Sequence, residues 1–212
     1  MPTTVGPSVW TINTLDSNGA PTVGSAFAVV GYNGGTAMVT NYSLIKAATV
    51  SPGPAISVEK GDQRLTAQVW AWDAEHDLAL LIVDADIPKL ALASSAVRGA
   101  ATGGRLFAVS SVGGQGATAS PGFLIDQSAA GIQHTIPVGS LFRGGPLVDS
   151  SGAVLGIASL TYDPLGAGVG GAVSTAADVN ALCVRLLRCA DEANDVTVEV
   201  PSEESVDGEA GD

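Results

Sequence analysis

A regular series of short apolar runs, separated by glycine-centred turns and never by a helix-length segment, is what most limits the folds open to this chain. "SVWTINTLDSNG" reads as a strand ending in an Asn18-Gly19 turn. "SAFAVVGYNGGTAMVTN" reads as two strands joined through Asn33-Gly34, a strong hairpin signal. "SLIKAA" suits a single helical turn, "AISVEKGDQRLTAQVWAWD" a second hairpin around Gly61-Asp62, and "DLALLIV" a buried strand. A connector punctuated by Pro and Gly, residues 84–104, leads to a second series: "RLFAVSSV", "GATASPGFLID", "GIQHTI", "GPLVDSSG" and "AVLGIASLTY". Two sets of roughly six antiparallel strands predict an all-β fold of two packed barrels. The barrels cover about 8–88 and 100–175, divided near 88–100, and one helix over 176–190 closes the domain. A single sandwich is the alternative the pattern leaves open. A parallel α/β sheet is excluded, because no helices alternate with the strands.

Composition agrees with this reading. The chain has 212 residues with 27 glycines and 5% aromatics, a mix suited to short strands and tight turns. That length buries one sizeable core or two small fused ones. No apolar run approaches the roughly 18 residues of a membrane span. The start, Met1 to Val5, has neither a basic patch nor an apolar stretch, so no signal peptide is expected there.

The formal net charge of −12 is unevenly placed. Of 21 acids, nine fall in residues 191–212 with no base, which leaves twelve acids against nine bases in the body. A tail that is acidic and without aromatics, interrupted by Pro201, Gly208 and Gly211, buries too little apolar surface to fold, so 191–212 is expected to be disordered. The absence of a basic stripe argues against a nucleic-acid partner.

Cys183 and Cys189 lie in "AADVNALCVRLLRCADEA", whose apolar positions 179, 182, 183, 186, 187 and 190 form a helical stripe. Residues six apart on a helix are separated by about 9 Å along its axis. The expectation is therefore two buried thiols and no disulfide between them. The only histidines, His76 and His134, are remote in sequence, so no zinc set is expected, and nothing calls for a cofactor.

Three segments in order resemble one family. "GSAFAVV…TAMVTNYSLIKAA", "AQVWAWDAEHDLALLIV" and "GIQHTIPVGSLFRGGPLVDSSGAVLGI" resemble the base, aspartate and nucleophile segments of the bacterial trypsin-like protease domain, HtrA-type and of chymotrypsin fold. "GAGVGGAVSTAADVNALCVRLL" resembles its closing strand and helix, and the likeness spans about residues 8–190. The resemblance implies that Asp77 is the catalytic aspartate. It places Ser43 where the family has its general base, Arg143 at the nucleophile and Leu141 at the oxyanion-loop glycine. Acyl transfer needs a hydroxyl or thiol activated by a base that a carboxylate orients. Serine takes no proton at neutral pH and a guanidinium is not nucleophilic. The resemblance therefore implies a pseudoprotease.

His134, Ser140, Phe142 and Gly144 fall, by the same resemblance, along the cleft between the barrels. A base relocated to His134 and acting on Ser140 is one alternative, and a structural ectodomain with a closed cleft is another. The leading expectation is a peptide- or protein-binding module, because the family binds an extended strand beside the cleft without needing the triad for that step. The resemblance implies the bacterial cell envelope or the exterior, with the cytoplasm as alternative. His76, beside Asp77 on a strand, is expected to face solvent. Asp77, buried without its histidine, needs a new partner, and Arg143 is expected to reach across Ser43 and bridge to it.

Overall fold

The computed structural model of the chain describes residues 2–93, 102–113, 116–128, 130–164, 166, 173–189 and 196–198. Six strands form the first closed antiparallel barrel: β1 (Val9–Leu15), β2 (Pro21–Tyr32), β3 (Gly35–Thr40), β4 (Ile56–Lys60), β5 (Gln63–Asp73) and β6 (Leu78–Val83). The second barrel comprises β7 (Arg105–Ser110), β8 (Thr118–Ser128), β9 (Gly131–His134), β10 (Pro146–Val148), β11 (Val154–Ala158) and β12 (Ser174–Asp178). The two-barrel expectation holds, and the sandwich alternative falls.

Local chemistry sets the turns. Asn33 and Gly34 both take positive φ, 47° and 84°, the pair of left-handed residues a tight hairpin between β2 and β3 requires. Asp16 caps the β1–β2 turn by accepting from the backbone N–H groups of Asn18 and Ala20.

Alternation along each strand then sorts side chains into three apolar layers. Trp10, Ile12, Ala26, Met38 and Leu81 fill the first barrel. Leu106, Leu124, Ile132, Leu147 and Leu155 fill the second. Between the barrels, the opposite faces of the same strands supply Phe27, Val39, Leu80, Val109, Val148 and Ile157. Every residue of β3 is buried because both of its faces are covered, which is why it reads as a continuous apolar run. Each such large side chain contributes about 1.5–3 kcal/mol by leaving water. Leu92 bridges to Val154 while Leu90 donates its N–H to Ala28 O, so the connector laces the barrels together.

The C-terminal region departs from expectation. A helix over 176–190 is not present. Ser174–Asp178 is strand β12, which pairs with β9 and β11 to close the barrel, and the helix is α3 (Val179–Arg185), with the one-turn α1 (Pro2–Val5) and α2 (Tyr42–Ile45) earlier in the chain. Asp178 caps α3 by accepting from Ala181 N. Residues 176–178 lie ahead of the apolar stripe that begins at Val179, and the ladder hydrogen bonds of β12 claim them, as tertiary pairing commonly does over a weak local preference. At Leu186 the chain leaves the helix and continues as β13 (Leu187–Cys189).

That reversal overturns the cysteine expectation too. Cys183 and Cys189 form a disulfide across a Cα separation of 5.3 Å. The helical spacing does not apply, because only Cys183 lies on the helix and the chain folds back before Cys189. The tail expectation is also corrected in part: β14 (Val196–Val198) pairs with β13, and Val198 is buried in the inter-barrel layer. Residues 191–195 and 199–212, on which the rest of that expectation falls, lie outside the described residues, as does residue 190 of the expected helix.

Candidate functional site

Asp77 sits in the turn between β5 and β6 rather than on a strand, with φ at 54°. Its backbone carbonyl accepts from Tyr42 N and Asn41 Nδ2, which ties the turn to the start of the short helix α2 (Tyr42–Ile45). The side chain is 5% exposed. Oδ1 accepts from the Ser43 N–H at 2.7 Å, and Oδ2 accepts from the hydroxyls of Ser43 (3.1 Å), Ser159 (2.6 Å) and Thr161 (2.7 Å). Four donors therefore hold one carboxylate. Ser43 comes from the first barrel, Ser159 and Thr161 from the second.

The expected bridge from Arg143 is absent. Its Nε donates to Val23 O at 3.0 Å and Nη2 to Thr22 Oγ1 at 3.2 Å, both on β2, and it makes no ion pair with Asp77. Burial lowers the pKa of the guanidinium, and the attraction of Asp77 partly offsets this. A buried carboxylate is expected to protonate or find a cation. Three neutral hydroxyls and an amide answer the same need without burying a second charge.

The loop carrying Arg143 is stapled to both barrels. Ser25 N on β2 donates to Arg143 O at 2.9 Å, and Gly144 N donates to Ala158 O on β11 at 2.8 Å. Gly144 has φ at 78°, and a β-carbon there would run into Ser25 O and Thr40 Oγ1. The Leu141 carbonyl accepts from Ser25 Oγ at 3.2 Å and Ser110 Oγ at 2.6 Å, while its side chain is 52% exposed.

His134 and Ser140 are not brought together. His134 has no exposed surface, its Nδ1 accepts from Ile136 N at 3.2 Å, and its Nε2 has no partner. Desolvation by burial pulls its pKa down to about 4. Ser140 is exposed on the loop. A relocated base acting on Ser140 therefore has no geometric support. His76 departs from expectation as well. Within the turn its Nδ1 lies 2.7 Å from Asp73 Oδ2 and its ring stacks on Tyr162 at 5.8 Å. Residues 74–77 form a turn, so strand alternation does not direct it outward.

A cavity of about 600 Å³ opens beside Asp77, lined by Tyr42, Ser43, Lys46, Glu75, Thr161 and Tyr162 among others. None of His134, Ser140, Phe142 or Gly144 lines it. Ser159, Thr161 and Tyr162 were missed in the sequence, where "SLTY" reads only as the end of a strand. The structure bends there instead, with Ser159 Oγ accepting from the N–H groups of Thr161 and Tyr162. Asp73, Glu75 and His76 bring potential ligand atoms within 4.8 Å of one another. Arg185 already meets Asp73 and Glu75 at 3.6 Å each.

Two barrels joined at an Asp77-centred site with a Gly144-Gly145-Pro146 loop across it match a known family model. That model, the trypsin-like peptidase domain, matches residues 24–157. The chain belongs to the trypsin-like peptidase family. Among curated proteins, it is 33% identical over 149 residues to "Protease Do-like 1, chloroplastic" of Arabidopsis thaliana. The match covers 63% of this chain and 32% of that relative, so the chain spans about a third of its length. In fold it is similar to the crystal structure of Deg5, with a TM-score of 0.68 at 20% identity, over 86% of this chain and 88% of the other.

Proposed function

We propose that this trypsin-like family member does not hydrolyse peptide bonds and serves as a peptide- or protein-binding module whose site is the cleft beside Asp77. The observation that carries this reading is the occupation of the Asp77 carboxylate by Ser43, Ser159 and Thr161. In each contact the hydroxyl donates its proton to the carboxylate, so Asp77 orients no base. Arg143 offers neither a nucleophile nor a proton acceptor. The hydrolase alternative based on His134 loses its support because that ring is enclosed in the second barrel. The cavity of about 600 Å³ at the same place favours binding over a purely structural domain with a closed cleft.

The Cys183–Cys189 disulfide supports a location in an oxidising compartment, in keeping with the envelope or exterior implied by the resemblance. The test has two arms. Purified protein is incubated with casein, a peptide library and a fluorophosphonate probe between about pH 5 and 9, the range in which histidine-assisted serine chemistry operates. The same library is then screened for binding by fluorescence polarisation, with Glu75→Gln and Thr161→Val as cleft variants. The reading requires no cleavage, no covalent label, and binding that the cleft variants weaken. Covalent labelling, or an absence of any peptide binding, overturns it.

A further inference from the structure

We propose that the first barrel carries a second binding pocket, for a neutral pyranose, on its outer face and at the end of its strands away from Asp77. The β3–β6 ladder runs from Thr40↔Ala79, beside the cleft, to Thr36↔Val83, four residues further along. At about 3.3 Å per residue the two ends are roughly 13 Å apart. At the far end a cavity of about 370 Å³ lies among Tyr32, Thr66, Gln68, Trp70, Ile82 and Asp84, with Asn33 and Gly35 at its edge.

A β-bulge lies beside this pocket. On β5 the register passes from Val69↔Leu81 to Ala71↔Leu80, so Trp70, which alternation already places on the outer face with Gln68, is followed there by Ala71. Val69 packs with the barrel interior, whereas Trp70 and Ile82 pack with the layer outside it. The Tyr32 ring meets Trp70 at 4.9 Å between centroids and 56° between planes, forming an aromatic corner. Gly35 forms a wall that no other residue could, since a β-carbon would run into Val83 O.

The polar lining selects the ligand. The side chains of Asn33, Thr66, Gln68 and Asp84 make no hydrogen bond or ion pair among the described residues. Two amides and a hydroxyl each both donate and accept, and the carboxylate accepts. A pyranose presents a C–H face that packs on an aromatic ring and a rim of hydroxyls that both donate and accept, and this lining offers both kinds of partner. The only charge in the lining is negative, so anionic ligands are disfavoured. An alkylammonium group would use Asp84 and a ring but would leave Asn33, Thr66 and Gln68 unengaged and most of the cavity unfilled.

The test titrates the full chain with methyl glucoside, methyl galactoside, methyl mannoside, N-acetylglucosamine and the disaccharides cellobiose and maltose. Saturation-transfer NMR and tryptophan fluorescence follow binding, and tetramethylammonium chloride serves as the cationic probe. At least one saccharide is expected to bind with a dissociation constant on the order of 1 mM. Gln68→Ala and Asp84→Asn, both at exposed positions and so compatible with folding, should each weaken it by about tenfold, and Ser43→Ala in the cleft should leave it unchanged. Tighter binding of the disaccharides would identify a glycan end as the ligand, and equal binding a free sugar. Saturable binding of tetramethylammonium alone, no saturable response to any saccharide, or binding indifferent to both variants overturns the proposal.

Discussion

Thr161 Oγ1 donates to Asp77 Oδ2 at 2.7 Å, joining the second barrel to the first beside the cleft. Ser159 Oγ does the same at 2.6 Å. A carboxylate buried to this degree is stable only while its acceptor sites are filled, and here they are filled by side chains with no charge of their own. The site is thus an inter-barrel clamp built on an aspartate.

Removing one clamp should be measurable and shared. Thr161→Val keeps the shape but deletes a charge-assisted hydrogen bond, and should cost about 1.5–3 kcal/mol in urea unfolding. Asp77→Asn disturbs the same set. Combined with Thr161→Val it should cost less than the two singles summed, by about 1 kcal/mol, because each single already breaks the shared contact. Strict additivity would show that the hydroxyl contributes nothing to holding the carboxylate.

Arg143 should behave as a separate unit. Its guanidinium is bound to Val23 O and Thr22 Oγ1 on β2, so Arg143→Ala should cost about 1–2 kcal/mol from those hydrogen bonds. Combined with Asp77→Asn the losses should add to within about 0.5 kcal/mol. A coupling larger than that in the same unfolding series would revive an Arg143–Asp77 pair.

The barrels were legible because their signals are local and periodic. Asn33-Gly34 demands a hairpin, and the apolar runs of β3 and β6 mark strands covered on both faces. Motif order places Ser43 beside Asp77, where the structure has it, but it does not show that Arg143 is tied to β2. The rest of what Asp77 touches was not legible, because Ser159 and Thr161 lie 82 and 84 residues away in sequence and reach it through a turn that no local signal announces. The Cys183–Cys189 bond was misread for a related reason. The stripe from Val179 to Ala190 is helical in pattern, yet Leu187–Cys189 within it is claimed by the ladder of β13 and β14.

The disulfide yields its own prediction. It closes a loop of six residues, and the chain-entropy account puts its contribution at about 2 kcal/mol. It also secures β13, against which β14 pairs. The purified chain should show no free thiol to a thiol reagent in denaturant until reduced. After reduction, hydrogen exchange at Leu187–Cys189 and Val196–Val198 should quicken more than in the barrel strands. Two reactive thiols in the unreduced protein, or unchanged exchange there after reduction, would refute this.

Acid should weaken the second barrel through His134. Its folded pKa lies near 4, depressed by burial from the ordinary 6.5. Between those values the unfolded chain binds a proton that the folded chain refuses, so folding stability rises with pH across that window. The contribution is fully present above about pH 6.5 and is lost as pH falls toward 4, by about 3 kcal/mol in all. The unpartnered Nε2 means that no hydrogen bond inside the barrel welcomes the charged ring. His134→Leu removes the titrating group while filling a similar volume in an apolar interior. The difference in melting temperature between His134→Leu and the parent chain should therefore widen in favour of the variant from pH 7 to pH 4. Melting curves that run parallel across that range would show that His134 does not titrate on unfolding.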